Sequence, residues 1–189
     1  MADGIIYHAA TKDELAKVVH DFGVAARKCK LAGCDGVQIH AAHGFLLTTF
    51  LSPHFNKRAD EYGGPIENRS RLLFEIYDSV RNAVGVDYPI ALKLSFSDLV
   101  SDSSTPEEML WVCKELEKKG IDFIEVSSGI SADNSGASCS PVLRNGDREG
   151  KFLESALLVS DTLEIPVSSV GCYRSCLLYT SPSPRDTER

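Results

Sequence analysis

Helical and strand-like segments alternate along this chain, and the alternation constrains the fold more than any other feature. Four short apolar segments have strand character, at 36–40, 89–95, 122–127 and 165–170. A helical segment precedes each of them, at 11–31, 65–84, 105–119 and 150–163. Near-continuous apolar strands separated by helices are typical of a parallel sheet covered by helices. The sequence therefore predicts an α/β fold with the order αβαβαβαβ.

Capping residues mark the ends of two of these helices. Thr11 and Glu14 have the spacing of a capping box, in which each side chain accepts a hydrogen bond from the other residue's backbone. Thr105, followed by Pro106, opens a second capped helix, and Gly120 stops it. These signals predict where the two helices begin and end.

Two architectures built on parallel strands fit this order. Four βα units are half of what a (β/α)8 barrel requires, and such a barrel typically needs about 250 residues. A doubly wound sheet is the alternative. However, no Gly-x-Gly-x-x-Gly follows a strand, and no Gly-Lys-Ser/Thr phosphate loop occurs. The pattern therefore favours a partial (β/α)8 (TIM) barrel.

Polar residues gather where the predicted strands end. His40, Ser95, Ser127 and Gly171 stand at the ends of the four strands in turn. Because ligands bind at the carboxyl ends of parallel strands, we expect these residues to line one site.

Charge and composition exclude several classes of protein. A net charge of −7 argues against a nucleic-acid partner, since phosphate contacts need clustered Lys and Arg. No apolar run approaches the ~20 residues that span a bilayer, and the N-terminus lacks the features of a signal peptide. The scattered cysteines lack metal-site spacing. We therefore expect a cytoplasmic protein with no metal site and neither membrane nor nucleic-acid partners.

The last residues have an unusual composition. Residues 176–186 read Cys-Leu-Leu-Tyr-Thr-Ser-Pro-Ser-Pro-Arg-Asp. These residues match the in-frame translation of a transposon-end adapter that is used in sequencing libraries. A natural Pro/Ser-rich tail is the alternative. We expect residues 1–175 to form one partial domain and 176–189 to be an artefactual, disordered tail.

The segment after the first strand carries the most chemical information. It reads His40-Ala-Ala-His43-Gly-Phe-Leu-Leu-Thr-Thr-Phe-Leu-Ser-Pro. Two imidazoles three residues apart can donate hydrogen bonds to a carbonyl oxygen or bind an anion. The same spacing also suits half of a metal site or two structural histidines.

The wider segment resembles a known family. After a short gap the chain continues Asn56-Lys-Arg58-Ala-Asp60-Glu-Tyr62-Gly-Gly and then Glu67-Asn-Arg69. Together, these residues resemble the signature of the Old Yellow Enzyme family, the flavin-dependent NADH:flavin oxidoreductases that act as ene-reductases. The likeness extends from Thr11 to Arg174. We expect the loop residues Asn56, Arg58, Asp60, Tyr62 and Glu67 to support the site structurally.

The resemblance implies a (β/α)8 barrel with FMN at its carboxyl face and NADH or NADPH as reductant. It implies reduction of activated C=C bonds in α,β-unsaturated carbonyl-type substrates. By the same resemblance, His40 and His43 hydrogen-bond the substrate oxygen, and Lys93 places a positive charge beside the flavin. Ser127 matches a position near the flavin, and Gly171 matches the turn that binds its phosphate.

The chain departs from the family pattern at three positions. Phe45 stands where the family has its proton-donating Tyr, so it cannot protonate the substrate; such acid catalysis is worth typically 10²–10⁴-fold. Lys93 replaces a frequent Arg, and Cys172 stands where relatives often have a second Gly. The proton donor therefore stays open.

The resemblance leaves three further questions: the activity of this fragment, the type of the parent enzyme and its oligomeric state. The chain matches about strands four to seven of the barrel, so we expect this fragment alone to be inactive. The full-length parent could instead be of the dienoyl-CoA reductase and trimethylamine dehydrogenase type, which carries an iron–sulfur cluster beyond the last barrel strand. A homo-oligomer of the parent is compatible with the sequence.

Overall fold

The computed structural model describes residues 8–130, 149–171 and 173 of the chain. Its helices and strands follow in this order: α1 (Lys12–Leu31), β1 (Val37–Ala41), α2 (Leu46–Leu51), α3 (Ile66–Arg69), α4 (Arg71–Val84), β2 (Ile90–Ser95), α5 (Pro106–Lys119), β3 (Phe123–Ser127), α6 (Leu153–Ser160) and β4 (Val167–Ser169). This order confirms the predicted alternation of helices and strands.

The strands of the described residues form one four-stranded parallel sheet in the order β1-β2-β3-β4. His40 lies opposite Lys93, and Lys93 lies opposite Glu125. Ser95 lies opposite Ser127 at the carboxyl ends of β2 and β3. The strand order follows the sequence without a reversal, whereas a doubly wound sheet reverses its order at a switch point. The topology therefore matches consecutive units of a barrel.

The helices bury one face of this sheet. Alternate strand residues such as Ile39, Leu92 and Ile124 join the core together with side chains from α1, α2, α4, α5 and α6. The other face carries Gln38, His40, Lys93 and Glu125 and stays partly or fully accessible. The expectation of a sheet covered by helices is therefore correct for one face only, because polar side chains alternate with apolar ones along each strand.

The predicted capping box of α1 is present, and the predicted cap of α5 is also a capping box. The Thr11 hydroxyl accepts from the Glu14 backbone N–H at 3.3 Å, and the Glu14 carboxylate accepts from the Thr11 N–H at 2.8 Å. Thr105 and Glu108 make the same pair of bonds at 3.2 and 3.0 Å. Gly120 follows α5 in the left-handed conformation, as the sequence predicts.

The helices differ from the sequence-based boundaries in three places. The predicted helix over 65–84 is divided at Ser70, whose hydroxyl donates to the Ile66 carbonyl at 2.7 Å; such bonds bend helices. The helix predicted from 150 begins at Leu153 and ends at Ser160. Helix α2 was not predicted.

The loop between α2 and α3 is held by side-chain bonds. The Asn56 amide donates to the carbonyls of Phe50 and Tyr62, each at 2.7 Å. Arg58 forms a two-pronged ion pair with Asp60, with N–O distances of 3.0 and 2.6 Å. These residues have the structural role that the sequence predicted for them.

Buried Arg69 joins this loop to two helices. Its guanidinium donates to the carbonyls of Gly64 and Leu51 and pairs with Glu108 in the first turn of α5. One side chain therefore links the ends of α2, α3 and α5.

Part of the predicted loop over 128–147 and the whole predicted tail at 176–189 lie outside the described residues. Within the described ranges, no helix is long and apolar enough to cross a membrane.

Candidate functional site

The site is built where β1 ends and the chain turns into α2. His43 and Gly44 both have positive φ, 64° and 77°. Gly44 adopts this conformation without steric cost, whereas His43 is one of the few types of side chain that tolerate it. The His43 backbone N–H donates to the Ser95 hydroxyl at 2.9 Å. A hydrogen bond from the neighbouring strand thus holds the turn.

This turn brings the two predicted histidines together. The ring centroids of His40 and His43 are 5.5 Å apart in an edge-to-face arrangement. The Phe45 ring lies 5.2 Å from that of His40 and is 54% exposed. The two imidazoles therefore adjoin one accessible region, and Phe45 contributes an apolar surface to it.

A charged cluster lies beside the histidines on the open face. Lys93 forms an ion pair with Glu125, and the Gln38 amide donates to the other Glu125 oxygen at 3.0 Å. Because facing residues of adjacent parallel strands project to the same side, His40, Lys93 and Glu125 form a row across the sheet. The row places one cation and one carboxylate next to the imidazole pair.

The electrostatics of the site favour neutral imidazoles. Burial lowers the pKa of His40, and the positive charge of Lys93 lowers it further. Burial, Lys93 and His40 lower the pKa of His43 in the same way. Burial opposes ionisation of Glu125, but hydrogen bonds from Lys93 and Gln38 outweigh it and leave the pKa of this carboxyl below its usual value. At neutral pH the site therefore holds two uncharged hydrogen-bond donors beside an ion pair.

Ser127 and Gly171 occupy two further strand ends. The Ser127 hydroxyl lies 2.7 Å from Nε2 of His43, so this serine joins the histidine turn. Gly171 follows β4 with a φ of 127°, and its carbonyl accepts from the Lys151 N–H at 3.0 Å. A Cβ at this position would lie 3.0 Å from the Phe152 ring. Steric space and conformation both favour glycine here.

The structure thus brings His40, His43, Lys93 and Ser127 into one cluster and places Gly171 at the end of the fourth strand. Sequence reasoning missed Glu125 and Gln38. Their signal is a polar residue at every second position of a strand, which marks one face of the sheet. Ser95 was predicted only as a strand end, although its hydroxyl holds the His43 backbone.

The family of the chain follows from comparison with known sequences. The sequence profile of the NADH:flavin oxidoreductase / NADH oxidase family matches residues 2–175. The chain belongs to this family. The resemblance carried by the segment from His40 to Arg69 is thereby confirmed.

Known relatives agree with this assignment. The NADH oxidase of Thermoanaerobacter brockii is 36% identical over 166 residues, which cover 87% of this chain and 25% of that protein. A structure of 2-naphthoyl-CoA reductase with 2-naphthoyl-CoA matches with a TM-score of 0.76 and 32% identity, over 86% of this chain and 24% of the other. The Old Yellow Enzyme homologue from Zymomonas mobilis matches with a TM-score of 0.71 and 29% identity, over 96% and 47%.

These comparisons settle the fold and the class of cofactor. The parallel sheet, with its likeness to Old Yellow Enzyme structures, confirms a partial (β/α)8 barrel. Family membership confirms FMN and a nicotinamide reductant as the family's cofactors. The chain spans about a quarter of the NADH oxidase it matches. The boundary predicted at residue 175 and the individual site residues stay predictions.

The residues on the open face fit the ring system of FMN. Lys93 supplies a cation that is partly exposed, as an anionic reduced flavin requires. Glu125 offsets part of that charge and leaves a paired rather than an isolated cation. At the phosphate end, Gly171 provides a turn without a side chain, and most of the sequence after it lies outside the described residues.

Proposed function

We propose that this chain is the substrate-facing part of an FMN-dependent NAD(P)H oxidoreductase that reduces activated C=C bonds of α,β-unsaturated carbonyl-type substrates. The observation that carries the proposal is the pairing of His40 with His43 beside Lys93 at the carboxyl ends of β1 and β2. Neutral imidazoles next to a cation suit an uncharged carbonyl that gains negative charge during reduction.

Each residue of the cluster has a separate part in this mechanism. His40 and His43 donate hydrogen bonds to the substrate oxygen and stabilise the charge that develops there. Lys93 would hold the edge of the flavin, which, when bound and reduced, supplies the hydride. Phe45 packs beside His40 and has no proton to give, so the proton for the substrate carbon comes from solvent or from another residue.

Replacing both histidines tests this proposal in the full-length parent enzyme. We expect His40→Ala/His43→Ala to keep the visible absorbance of bound flavin and to weaken binding of phenolic ligands, whose oxygen would face the pair. Each lost hydrogen bond to a partly anionic oxygen costs about 1.5–3 kcal/mol. Titration of the flavin spectrum with a phenol measures the loss. Unchanged phenol affinity in a flavin-containing variant contradicts the proposal.

Phe45→Tyr is the matched control, since it changes the same region without removing a histidine. We expect phenol binding to stay nearly unchanged. The added hydroxyl should speed reoxidation of the reduced flavin by an enone, by up to about 10²–10⁴-fold, because it acts on the carbon in the transition state. Stopped-flow measurement of the two half-reactions separates these effects. An unchanged enone step with normal flavin reduction means that another group already delivers the proton.

A second candidate is the larger type of enzyme with an iron–sulfur cluster, such as the dienoyl-CoA reductases. The likeness to 2-naphthoyl-CoA reductase favours this larger type. The match covers 24% of that protein, so most of its length lies outside the matched region. A complete reading frame distinguishes the two candidates, because the cluster needs closely spaced cysteines beyond the last barrel strand. In either case we propose that residues 1–189 alone are inactive, and colourless purified protein would support this.

A further inference from the structure

The contact between His43 and Ser127 bears on which nitrogen of the His43 ring carries the proton. Nε2 of His43 lies 2.7 Å from the Ser127 hydroxyl oxygen. The two residues are 84 positions apart in the sequence. They meet because the carboxyl ends of the parallel strands β1 and β3 lie at the same end of the sheet. Ser127 is 1% exposed, so bulk water cannot serve its hydroxyl.

The direction of this hydrogen bond follows from the partners of Ser127. A hydroxyl has one proton to donate, and burying that proton without an acceptor costs about 1–3 kcal/mol. Among the described residues, His43 Nε2 is the hydrogen-bond partner found for this hydroxyl. If the ring donated to the serine, the serine proton would be left unpaired. The lower-energy arrangement has the serine donating to Nε2.

We propose that the Ser127 hydroxyl donates to Nε2 of His43 and thereby holds the neutral imidazole in the tautomer that carries its proton on Nδ1. Ser127 is then a positioning residue for His43. A hydrogen bond at one ring nitrogen decides which nitrogen is protonated. Nδ1–H is then the hydrogen-bond donor of the His43 ring, so a ligand that binds this nitrogen has to accept a hydrogen bond.

The backbone of His43 is fixed independently of its ring. Ser95 accepts from the His43 backbone N–H at 2.9 Å and donates to the Gly129 carbonyl at 3.3 Å. The Ser95 hydroxyl thus acts both as an acceptor and as a donor. This contrast assigns different parts to the two serines: Ser95 holds the left-handed turn, and Ser127 sets the proton of the ring.

Burial supports the neutral ring on which this tautomer depends. Burial and the charge of Lys93 lower the pKa of His43, and nearby Glu125 opposes them only in part. The ring is therefore uncharged at neutral pH, and a single proton has to be placed on one of its two nitrogens.

Nitrogen NMR of the full chain, labelled with ¹⁵N in histidine, tests this assignment without any flavin. His43→Asn identifies the His43 signals. At neutral pH we expect ¹⁵N shifts for His43 that mark a protonated Nδ1 and an unprotonated Nε2. Ser127→Ala should release the ring, so that the two nitrogens give averaged shifts. Ser127→Thr keeps a hydroxyl and should restore the wild-type pattern.

Ser128→Ala is the matched control. Ser128 is also 1% exposed and adjacent in sequence, but its hydroxyl donates to the Ser127 carbonyl at 2.7 Å rather than to the ring. We expect its His43 shifts to match the wild type. Protonated Nε2 in the wild-type chain overturns the proposal, as does an unchanged tautomer in Ser127→Ala. If Ser128→Ala changes the tautomer equally, the effect is structural and the proposal is also wrong.

The consequence for substrate binding rests on the proposed function, but the tautomer does not. If the NMR pattern is as expected and phenol binding by the parent enzyme ignores His40→Ala/His43→Ala, the proposed function fails and the tautomer assignment stands. If phenol binding depends on the pair and His43 is protonated on Nε2, the reverse holds.

Discussion

At the scale of single residues, Lys93 and Glu125 act in opposite directions on the pKa of the two histidines, and burial has the largest effect. Its carboxylate raises the pKa of both imidazoles, whereas Lys93 lowers it. We expect Glu125→Gln to lower the pKa of His40 and His43 further, and Lys93→Gln to raise it. An NMR titration of the full chain measures both shifts.

The opposite signs of these two substitutions make the prediction specific. Glu115→Gln removes the same charge from the exposed Glu115–Lys118 pair on α5 and should leave both histidines unchanged. A higher imidazole pKa in Glu125→Gln would show that the ion pair does not act on the histidines in this way.

The sequence predicted some of these residues and could not predict others. His40 and His43 lie in a motif whose spacing is visible along the chain, and Lys93 was predicted from the resemblance to the family. Glu125 is a single acidic residue in the apolar segment Phe123–Ser127, and nothing local indicates a partner. Its role follows from the strand register, which pairs it with Lys93 32 residues away. The contact between Ser127 and His43 likewise depends on the tertiary fold, because 84 residues separate the two side chains in the sequence.

At the scale of helices and strands, α1 and α4 pack closely at Gly23. A Cβ there would lie 2.5 Å from the Ser79 hydroxyl oxygen and 3.0 Å from the Ser79 carbonyl oxygen. Alanine gains about 1 kcal/mol of helix propensity over glycine, but overpacking costs about 1–3 kcal/mol. The net of these two effects is a loss, and we expect Gly23→Ala to lower the free energy of unfolding by up to about 2 kcal/mol, measured by urea denaturation.

Ser79→Ala separates the side-chain part of this clash from the backbone part. In the Ser79→Ala background, Gly23→Ala should cost less, because the shortest contact is gone while the carbonyl contact remains. Equal costs in both backgrounds would mean that the helices simply move apart. A more stable Gly23→Ala single variant would show that helix propensity wins.

Local signals explain which elements the sequence predicted. The bounds of α1 and α5 follow from capping residues, and those of the strands from apolar runs. Helix α2 has six residues, Leu-Leu-Thr-Thr-Phe-Leu, which are too few to show a helical period. The division of the helix at Ser70 depends on one hydroxyl bond to Ile66, and serine is common within helices that stay straight.

At the scale of the whole molecule, the sheet has two edges that no other described strand covers. Within the described residues β1 pairs with β2 alone and β4 with β3 alone. Unpaired edges next to an accessible face favour association between chains. We expect light scattering after gel filtration to show that purified protein forms larger species as its concentration rises.

A charge on the β1 edge should reduce this association. Gln38→Lys adds one and can still bond Glu125 as an ion pair, so the sheet itself should survive. Asn82→Lys adds the same charge on α4, away from the sheet, and serves as the control. Equal effects of the two variants would attribute the association to net charge rather than to the edge.

Arg69 couples the end of α2 to the first turn of α5. Glu108 caps the backbone of Thr105 with one carboxylate oxygen and receives the Arg69 guanidinium, 39 residues away, with the other. The first turn of α5 therefore cannot open without leaving a buried cation uncompensated, and that cation also holds the end of α2 through Leu51. We therefore expect the backbone amides of both segments to exchange with solvent through one shared opening event, as a single cooperative unit.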